Sequence, residues 1–324
     1  MAPDRTIGLD LGGTKLASGV VGSDGSVIWS DQVSSRGYSQ EAVIDLLAEG
    51  IGRARTEAPE VDRIGVGIPA TIDFEAGRAI STVNLGLEDL PVRDLLRERT
   101  GASVWLDNDG NLAMLAEAVH GAARGARDAI TLTIGTGIGG GILLDGEIYR
   151  GATGAGAELG HMVVDFDGPP CQGNCPGRGC VETLASGTAI AREGSAAALA
   201  NPASMLAGIA KEDGAEEDGG LSAEDVHRAA IEGDEVATGV IETAGRYLGA
   251  ALVSLVNLFE PEVVVLGGGA MAMGELLLGP ARREVRERAL KPMRETPIVA
   301  AELGPDAGMI GAATLARIES EASA

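Results

Sequence analysis

Three times in this chain an apolar stretch stops in a cluster of glycines, and no other feature of the sequence limits the possible folds as much. Thr6 to Leu11 runs into Gly12-Gly13, Ile130 to Ile134 into the glycines of 135–141, and Val263 to Leu266 into Gly267-Gly268-Gly269. Apolar runs of this length bounded by turn signals read as buried strands. Glycine at a strand end lets backbone N–H groups approach an anion closely, so three such ends together predict a phosphate cradle. A tight hairpin or a packing turn accounts for any one cluster taken alone. The first two clusters also have similar surroundings. Ile7-Gly-Leu-Asp10-Leu-Gly12-Gly13-Thr14 and Ile130-Thr-Leu-Thr-Ile-Gly135-Thr136-Gly137 each lead into a second apolar stretch and then an Asp-Gly turn, Asp24-Gly25 and Asp145-Gly146. A pseudo-repeat offset by about 123 residues predicts two related domains facing each other, with two unrelated glycine hairpins as the alternative.

The intervening sequence alternates strand and helix signals, which argues for a layered α/β fold. Strands are predicted at Thr6 to Leu11, Leu16 to Val21, Val27 to Val33, Ile64 to Ile68, Ser103 to Leu106 and Val263 to Leu266. Val43, Leu46, Leu47, Ile51 and Ala54 share one face of a helix from about Gln40 to Glu57, which Pro59 ends. A loop-rich region extends to Leu90, followed by helices at Val92 to Arg99 and Asn111 to His120. Apolar residues at 236, 240, 244, 248, 252, 255 and 259 mark a long, largely buried helix that stops at Pro261. A further helix is expected from Pro280, and helical character returns at Met309 to Ile318. Residues 201–222 are polar and read as a solvated loop.

The spelling of the clusters narrows the ligand. Gly135-Thr-Gly137-Ile-Gly-Gly140 fits G-x-G-x-x-G, but a dinucleotide fingerprint opens a helix at once, whereas Ile142 to Tyr149 reads as a hairpin; an NAD site is excluded. No G-x-x-x-x-G-K-[ST] string occurs, so a Walker-type loop is excluded as well. Asp10, Thr14 and Lys15 surround the first cluster. A carboxylate at the end of an apolar strand is costly unless it meets a cation or donors; Mg²⁺ carried by a nucleotide would serve Asp10, and turn capping is the plainer alternative. The chain carries 48 Asp and Glu against 25 Lys and Arg, a net charge of −23. Without a basic patch, that excess repels phosphate backbones and anionic lipid. No apolar run approaches the ~20 residues of a membrane span, and Met1 to Arg5 lacks the charged-then-apolar pattern of a leader. A soluble, cytoplasmic protein with no nucleic-acid and no membrane partner is expected.

All three cysteines lie within ten residues, preceded by a histidine: His161-x₉-Cys171-x₃-Cys175-x₄-Cys180. Three thiolates and one imidazole complete a tetrahedral Zn²⁺ shell with no position left for water, which predicts a structural ion. Three thiols confined to one short loop argue against a disulfide framework, and free reduced cysteines are the alternative. Pro169-Pro170, Gly173, Pro176-Gly177 and Gly179 supply the turns needed to wrap such a loop. The remaining polar clusters are acidic. Asp107-Asn108-Asp109 follows a strand and precedes a helix, where open α/β folds place ligands; a helix cap explains one of the three residues. Glu158 and Glu182 bracket the cysteine loop, which would fix both, and carboxylates are strong acceptors for sugar hydroxyls.

Asp10-Leu-Gly-Gly-Thr-Lys15, Asn108-Asp109, Gly135-Thr-Gly137, Glu158-x-Gly-His161, the cysteine cluster closed by Cys180-x-Glu182, and Val265-x-Gly-Gly268 together resemble bacterial sugar kinases of the ROK family, most closely its zinc-containing glucokinases. The resemblance runs from about Thr6 to Ile318. It implies two actin-like (ribonuclease H-like) α/β domains closing on ATP and a hexose, most simply glucose. The implied domains are 1–120 and 121–305, with a C-terminal helix of about 306–324 packing back on the first. It implies Asp109 as catalytic base; Asn108, Asp109, Glu158, His161 and Glu182 as sugar contacts, with Asn84 a further one; Asp10, Gly12, Gly13, Thr14, Lys15, Gly135, Thr136, Gly137, Gly267 and Gly268 as nucleotide contacts; and His161, Cys171, Cys175 and Cys180 as zinc ligands. It further implies Mg²⁺ with the nucleotide and a homodimer or homotetramer. The repressors of the family carry an added N-terminal DNA-binding domain, which is not expected here. Three positions depart from the family pattern: x₃ rather than x between the first two cysteines, Ala70 where glycine is common, and Val83-Asn84 for Pro-Asn. Zinc is expected to act on the sugar through Glu158, His161 and Glu182. Its effect on nucleotide binding is expected to be small, because the phosphate loops lie elsewhere in sequence.

Overall fold

The computed structural model describes residues 4–37, 40–82, 87–173, 175–212 and 220–322. The chain begins with β1 (Arg5–Leu11), β2 (Lys15–Gly22), β3 (Val27–Ser34), α1 (Gln40–Glu57) and β4 (Arg63–Ile68). It continues through β5 (Ala70–Asp73), β6 (Arg78–Thr82), β7 (Glu88–Leu90), α2 (Val92–Thr100), β8 (Ser103–Asn108) and α3 (Asp109–His120). Next come β9 (Ala129–Ile134), β10 (Ile138–Leu144), β11 (Glu147–Ile148), α4 (Val181–Ala185), α5 (Gly187–Ala200), α6 (Met205–Glu212) and α7 (Ala223–Ile231). Last are α8 (Glu235–Phe259), β12 (Val263–Gly267), α9 (Glu275–Arg288), β13 (Ile298–Ala300) and α10 (Ala307–Ala322).

The two five-stranded sheets share one strand order, third, second, first, fourth, fifth: β3-β2-β1-β4-β8 and β11-β10-β9-β12-β13. In the first, β1 pairs antiparallel with β2 and parallel with β4, which pairs parallel with β8. In the second, β10 pairs antiparallel with β11 and β12 parallel with β13. The repeat seen in the sequence is thus a repeat of topology, the duplicated actin-like, ribonuclease H-like arrangement.

Contacts group the chain into two units, residues 1–131, 140–157 and 301–324 in one, 132–139 and 158–300 in the other. Segment 140–157 groups with the first unit, unlike the 121–305 span expected from the sequence. Close backbone approaches cause this: a Cβ on Gly141 would meet the Gly110 carbonyl at 2.6 Å, and one on Gly154 the Ile72 carbonyl at 1.8 Å.

In the first unit, alternation along β1 sends Ile7, Leu9 and Leu11 into a core shared with Leu47 and Ile51 of α1. Gly8 and Asp10 point to the opposite face, where α10 packs against β1, β4 and α3. Glycine is required there. A Cβ on Gly8 would lie 2.0 Å from the Met309 carbonyl oxygen, and one on Gly65 1.7 Å from that of Ala312. Gly65→Ala is expected to cost at least the upper end of the roughly 1–3 kcal/mol typical of overpacking, read as a fall in urea midpoint, because the obstacle is helix backbone and cannot turn aside.

The region up to Leu90 is not all loop. β5, β6 and β7 form a small antiparallel sheet, hidden from a pattern reading because its strands are short and carry Arg78, Glu88 and Asp89 beside the buried Ile72, Ala79 and Leu90. Val83 and Asn84 lie outside the described residues.

In the second unit, α8 buries Ile241, Leu248, Leu252 and Leu255 and packs on α9, α7, α5 and α4. By length and composition it could cross a membrane, but half of its apolar window is buried, and its charges Glu242 and Arg246 pair with Arg283 and Glu284 of α9. Helix α9 starts at Glu275, ahead of the expected Pro280, which sits inside it. That proline removes one intrahelical bond, and its ring packs where Gly245 leaves space. The polar stretch 201–222 contains α6, with Leu206 and Ala207 buried and the Leu206 N–H donated to Asp234 Oδ2 at 2.7 Å. Residues 213–219 lie outside the described residues.

Candidate functional site

β1 and β8 are separated in their sheet by β4 alone, and both end in acids. Asp10 lies on the α10 face of β1, so close to the first turn of that helix that a Cβ on Gly308 would sit 2.4 Å from its Oδ2. Burial raises the Asp10 pKa to about 7, the charge of Asp109 adds to the rise, and Lys15 opposes it. Asp109 opens α3. Burial raises its pKa too, against the pull of the Gly110 N–H and the Asn108 side chain. Two acids with raised pKa values on nearby strand ends are suited to take a proton or to hold a cation.

Asn108 is heavily committed. Its Oδ1 caps α3 by accepting from Gly110 N at 2.9 Å and Asn111 N at 3.3 Å, and its Nδ2 donates to the Ala70 carbonyl at 3.2 Å. Behind it Asp107, 2% exposed, accepts from Arg150 Nε at 2.8 Å and Asn111 Nδ2 at 2.9 Å, while the Arg150 guanidinium stacks 3.9 Å from the Phe74 ring centroid. With the Asn108 N–H donating to it as well, at 2.7 Å, this buried acid has three donors and is a rigid strut that fixes the start of α3, so Asp109 has little freedom to wander. In the same unit the turn Gly12 to Lys15 closes through Gly12 N to Lys15 O at 2.8 Å, and Ser35 Oγ donates to the Gly12 carbonyl at 2.7 Å. Gly13, Thr14 and Lys15 are exposed at its tip.

The second unit brings the other two glycine clusters together. Gly268, at φ 89°, nests on the end of β9, where a Cβ would strike Ile134 O at 2.4 Å. Gly135 and Thr136 then share with Gly269 the wall of a pocket of about 460 Å³. Gly267 and Gly268 stand behind that wall. The pocket is lined further by Gly187 and Thr188 at the start of α5, by Ser222 and His227 at α7, and by Ala270, Ala272 and Met273. No motif in the sequence singles these residues out. One signal was present: Ser222-x-x-Asp225 forms a capping box, which places a helix N-terminus, favourable to anions, at the pocket.

The cysteine cluster is also in the second unit. One ligand atom each from His161, Cys171, Cys175 and Cys180 can be chosen so that all lie within 4.8 Å of one another. His161 turns Nδ1 inward, 3.5 Å from Cys171 Sγ, and Nε2 outward, 4.0 Å from Glu158 Oε2. Burial and the neighbouring thiols push the Cys171 thiol up to about 12. Three thiols and an imidazole crowded this closely are a poor arrangement alone and a good one around a divalent ion, so the donors fit zinc. Glu182 reaches back to accept from Ile138 N at 2.8 Å.

The sequence matches the ROK family over residues 6–319. It is 37% identical to a glucokinase of Thermotoga maritima and 33% identical to one of Streptomyces coelicolor, in each case over 96% of this chain and 96% and 97% of theirs. A solved ROK family glucokinase from Streptomyces griseus, in complex with glucose and AMPPNP, superposes with a TM-score of 0.84 at 35% identity, covering 97% of this chain and all of that one. The chain belongs to the ROK family.

Two departures from the usual ROK spelling now have structural readings. The longer first cysteine gap still delivers all four ligand atoms to one place, with Gly177 closing the loop by donating its N–H to Cys175 Sγ at 3.4 Å. Ala70 offers its carbonyl to Asn108, a contact that a methyl side chain does not disturb.

Proposed function

We propose that this ROK protein transfers the γ-phosphoryl group of ATP to the 6-hydroxyl of glucose. The observation that carries this reading is Asp109: a carboxylate at a strand end, held by a buried strut, with a raised pKa that makes it a better base than an ordinary Asp. The kinship with glucokinases supports glucose as acceptor and ATP as donor.

Phosphoryl transfer needs alignment and charge screening more than covalent help from the protein. Asp109 accepts the 6-hydroxyl proton as that oxygen attacks phosphorus. Asn108, Glu158, His161 and Glu182, with Asn84, hold the other hydroxyls. Lys15 and the amides around Gly12, Gly13 and Thr14 serve the phosphates, as do those of Gly135, Thr136 and Gly137, while the pocket beside His227 takes the nucleoside. Mg²⁺ with the nucleotide would neutralise phosphate charge, and Asp10 fits it as an acid with too little compensation of its own. Zn²⁺ at the four-ligand cluster would hold its loop in shape. Family kinship also supports a cytoplasmic homodimer or homotetramer. The deciding experiment is a coupled ADP-release assay with ATP, Mg²⁺ and a panel of glucose, mannose, fructose, N-acetylglucosamine and N-acetylmannosamine; glucose gives the highest kcat/KM. Sugar binding without ADP release would instead make the protein a sensor.

Asp10 yields a pH prediction. An ordinary Asp titrates near 3.8, this one near 7, so between those values the folded state keeps a proton that the unfolded chain has lost. Stability falls as pH rises through that window and stays low above it. Asp10→Asn removes the cost, and at about pH 8 it is expected to stabilise the nucleotide-free protein by roughly 2–4 kcal/mol, with little gain at about pH 4. Urea unfolding at the two pH values checks this; phosphoryl transfer is lost in the same variant.

A further inference from the structure

We propose that Glu182 is a positioning residue through which the Cys/His cluster sets the shape of the Gly135–Gly137 loop, so that the metal governs nucleotide binding as well as sugar binding. This rests on reading that loop as a phosphate contact. It departs from the expectation, drawn from separation in sequence, that zinc has only a small effect on nucleotide binding.

The argument is that both arms of the cluster grip one residue, Ile138, which leads out of the loop. On one arm, Glu182 follows Cys180 by two positions, and its Oε2 accepts the Ile138 N–H at 2.8 Å. The same oxygen would lie 2.3 Å from a Cβ on Gly137, so the carboxylate is packed directly against the turn. On the other arm, Gly160 immediately precedes His161, and a Cβ there would lie 2.0 Å from the Ile138 carbonyl oxygen. The N–H and C=O of Ile138 are therefore engaged by opposite sides of one metal site. The arms are laced together by Val181 N to Met162 O at 2.9 Å and by an antiparallel bridge between Val163 and Cys180. The far side of the loop is already fixed, since the Gly135 carbonyl accepts from Gly187 N and that of Thr136 from Thr188 Oγ1, both at 2.8 Å. What remains adjustable is the Ile138 side. A carboxylate accepting a backbone N–H is among the stronger hydrogen bonds, and its placement depends on the helix start that Cys180 anchors.

The test is calorimetric titration of AMPPNP with Mg²⁺ in the absence of sugar, on zinc-loaded and chelator-stripped protein. Zinc-loaded Glu182→Ala should bind AMPPNP at least about tenfold more weakly than wild type. Stripping wild type should cost a similar factor, and stripping Glu182→Ala should add less than threefold, because the link is already cut. Glu182→Gln keeps an acceptor for the Ile138 N–H and should retain nucleotide affinity within threefold. Amide exchange at Ile138 reads the coupling without any variant: slow with zinc, at least tenfold faster after chelation. Unchanged nucleotide affinity in Glu182→Ala, or in stripped wild type with Ile138 still protected, overturns the inference while leaving the kinase reading intact. Failure of zinc-loaded wild type to bind AMPPNP at all overturns the reading of the loop, and the inference with it.

Discussion

Replacing Asp109 with Ala is expected to lower kcat by about a hundredfold or more while glucose binds within a few-fold of its normal affinity. The split follows from what Asp109 does at each stage. In the ground state the sugar has several other proposed partners, so loss of one carboxylate costs little binding. In the transition state the attacking hydroxyl must shed its proton, and no other acid shares the start of α3 with a raised pKa. Alanine suits the first turn of a helix whose cap belongs to Asn108, so the variant should fold, losing the bond from the Gly110 N–H to the Asp109 carboxylate. Steady-state kinetics and calorimetric glucose titration check both halves. A near-normal kcat would remove Asp109 from the chemistry. In wild type, kcat should fall on the acid side as Asp109 gains its proton, since only the ionised form can act as base.

Cys175→Ser should lose the metal and, with it, at least tenfold in glucose affinity. Three thiols and an imidazole satisfy a divalent ion; two thiols, a hydroxyl and an imidazole hold it far less firmly. Glu158 and His161 share one short turn, and His161 Nε2 faces outward only while Nδ1 is held by the cluster. Released, the ring can rotate, and a sugar contact becomes a mobile side chain. Metal analysis should find one zinc per wild-type chain and none in the variant. A zinc-free variant that binds glucose normally would sink this account.

The sequence was most legible where one residue type had one use. Glycine after a buried strand, three cysteines behind a histidine, and Asn-Asp at a strand end all took their expected local structures, and β1, β4, β8, α1 and β12 lie within two residues of their expected limits. What escaped was built from ordinary residues. The pocket beside Gly135 is walled by alanines, a methionine and a histidine whose proximity depends on how α5 and α7 pack, which no local spacing encodes. The sheet β5-β6-β7 was hidden by strands of three to five residues. The grip of Glu182 on Ile138 joins positions 44 apart, and only the folded chain reveals it.

The placing of α10 also bears on how the polypeptide matures during synthesis. β1, β4 and α3 present a glycine-lined face that stays bare until Ala307–Ala322 has been made, roughly 190 residues after α3. Residues 158–300 emerge as a nearly continuous block in the meantime and can reach their own packing first. The half of the molecule that begins the chain is therefore the half that finishes folding later, and a ribosome stalled before residue 307 would expose an unfinished sheet to chaperones.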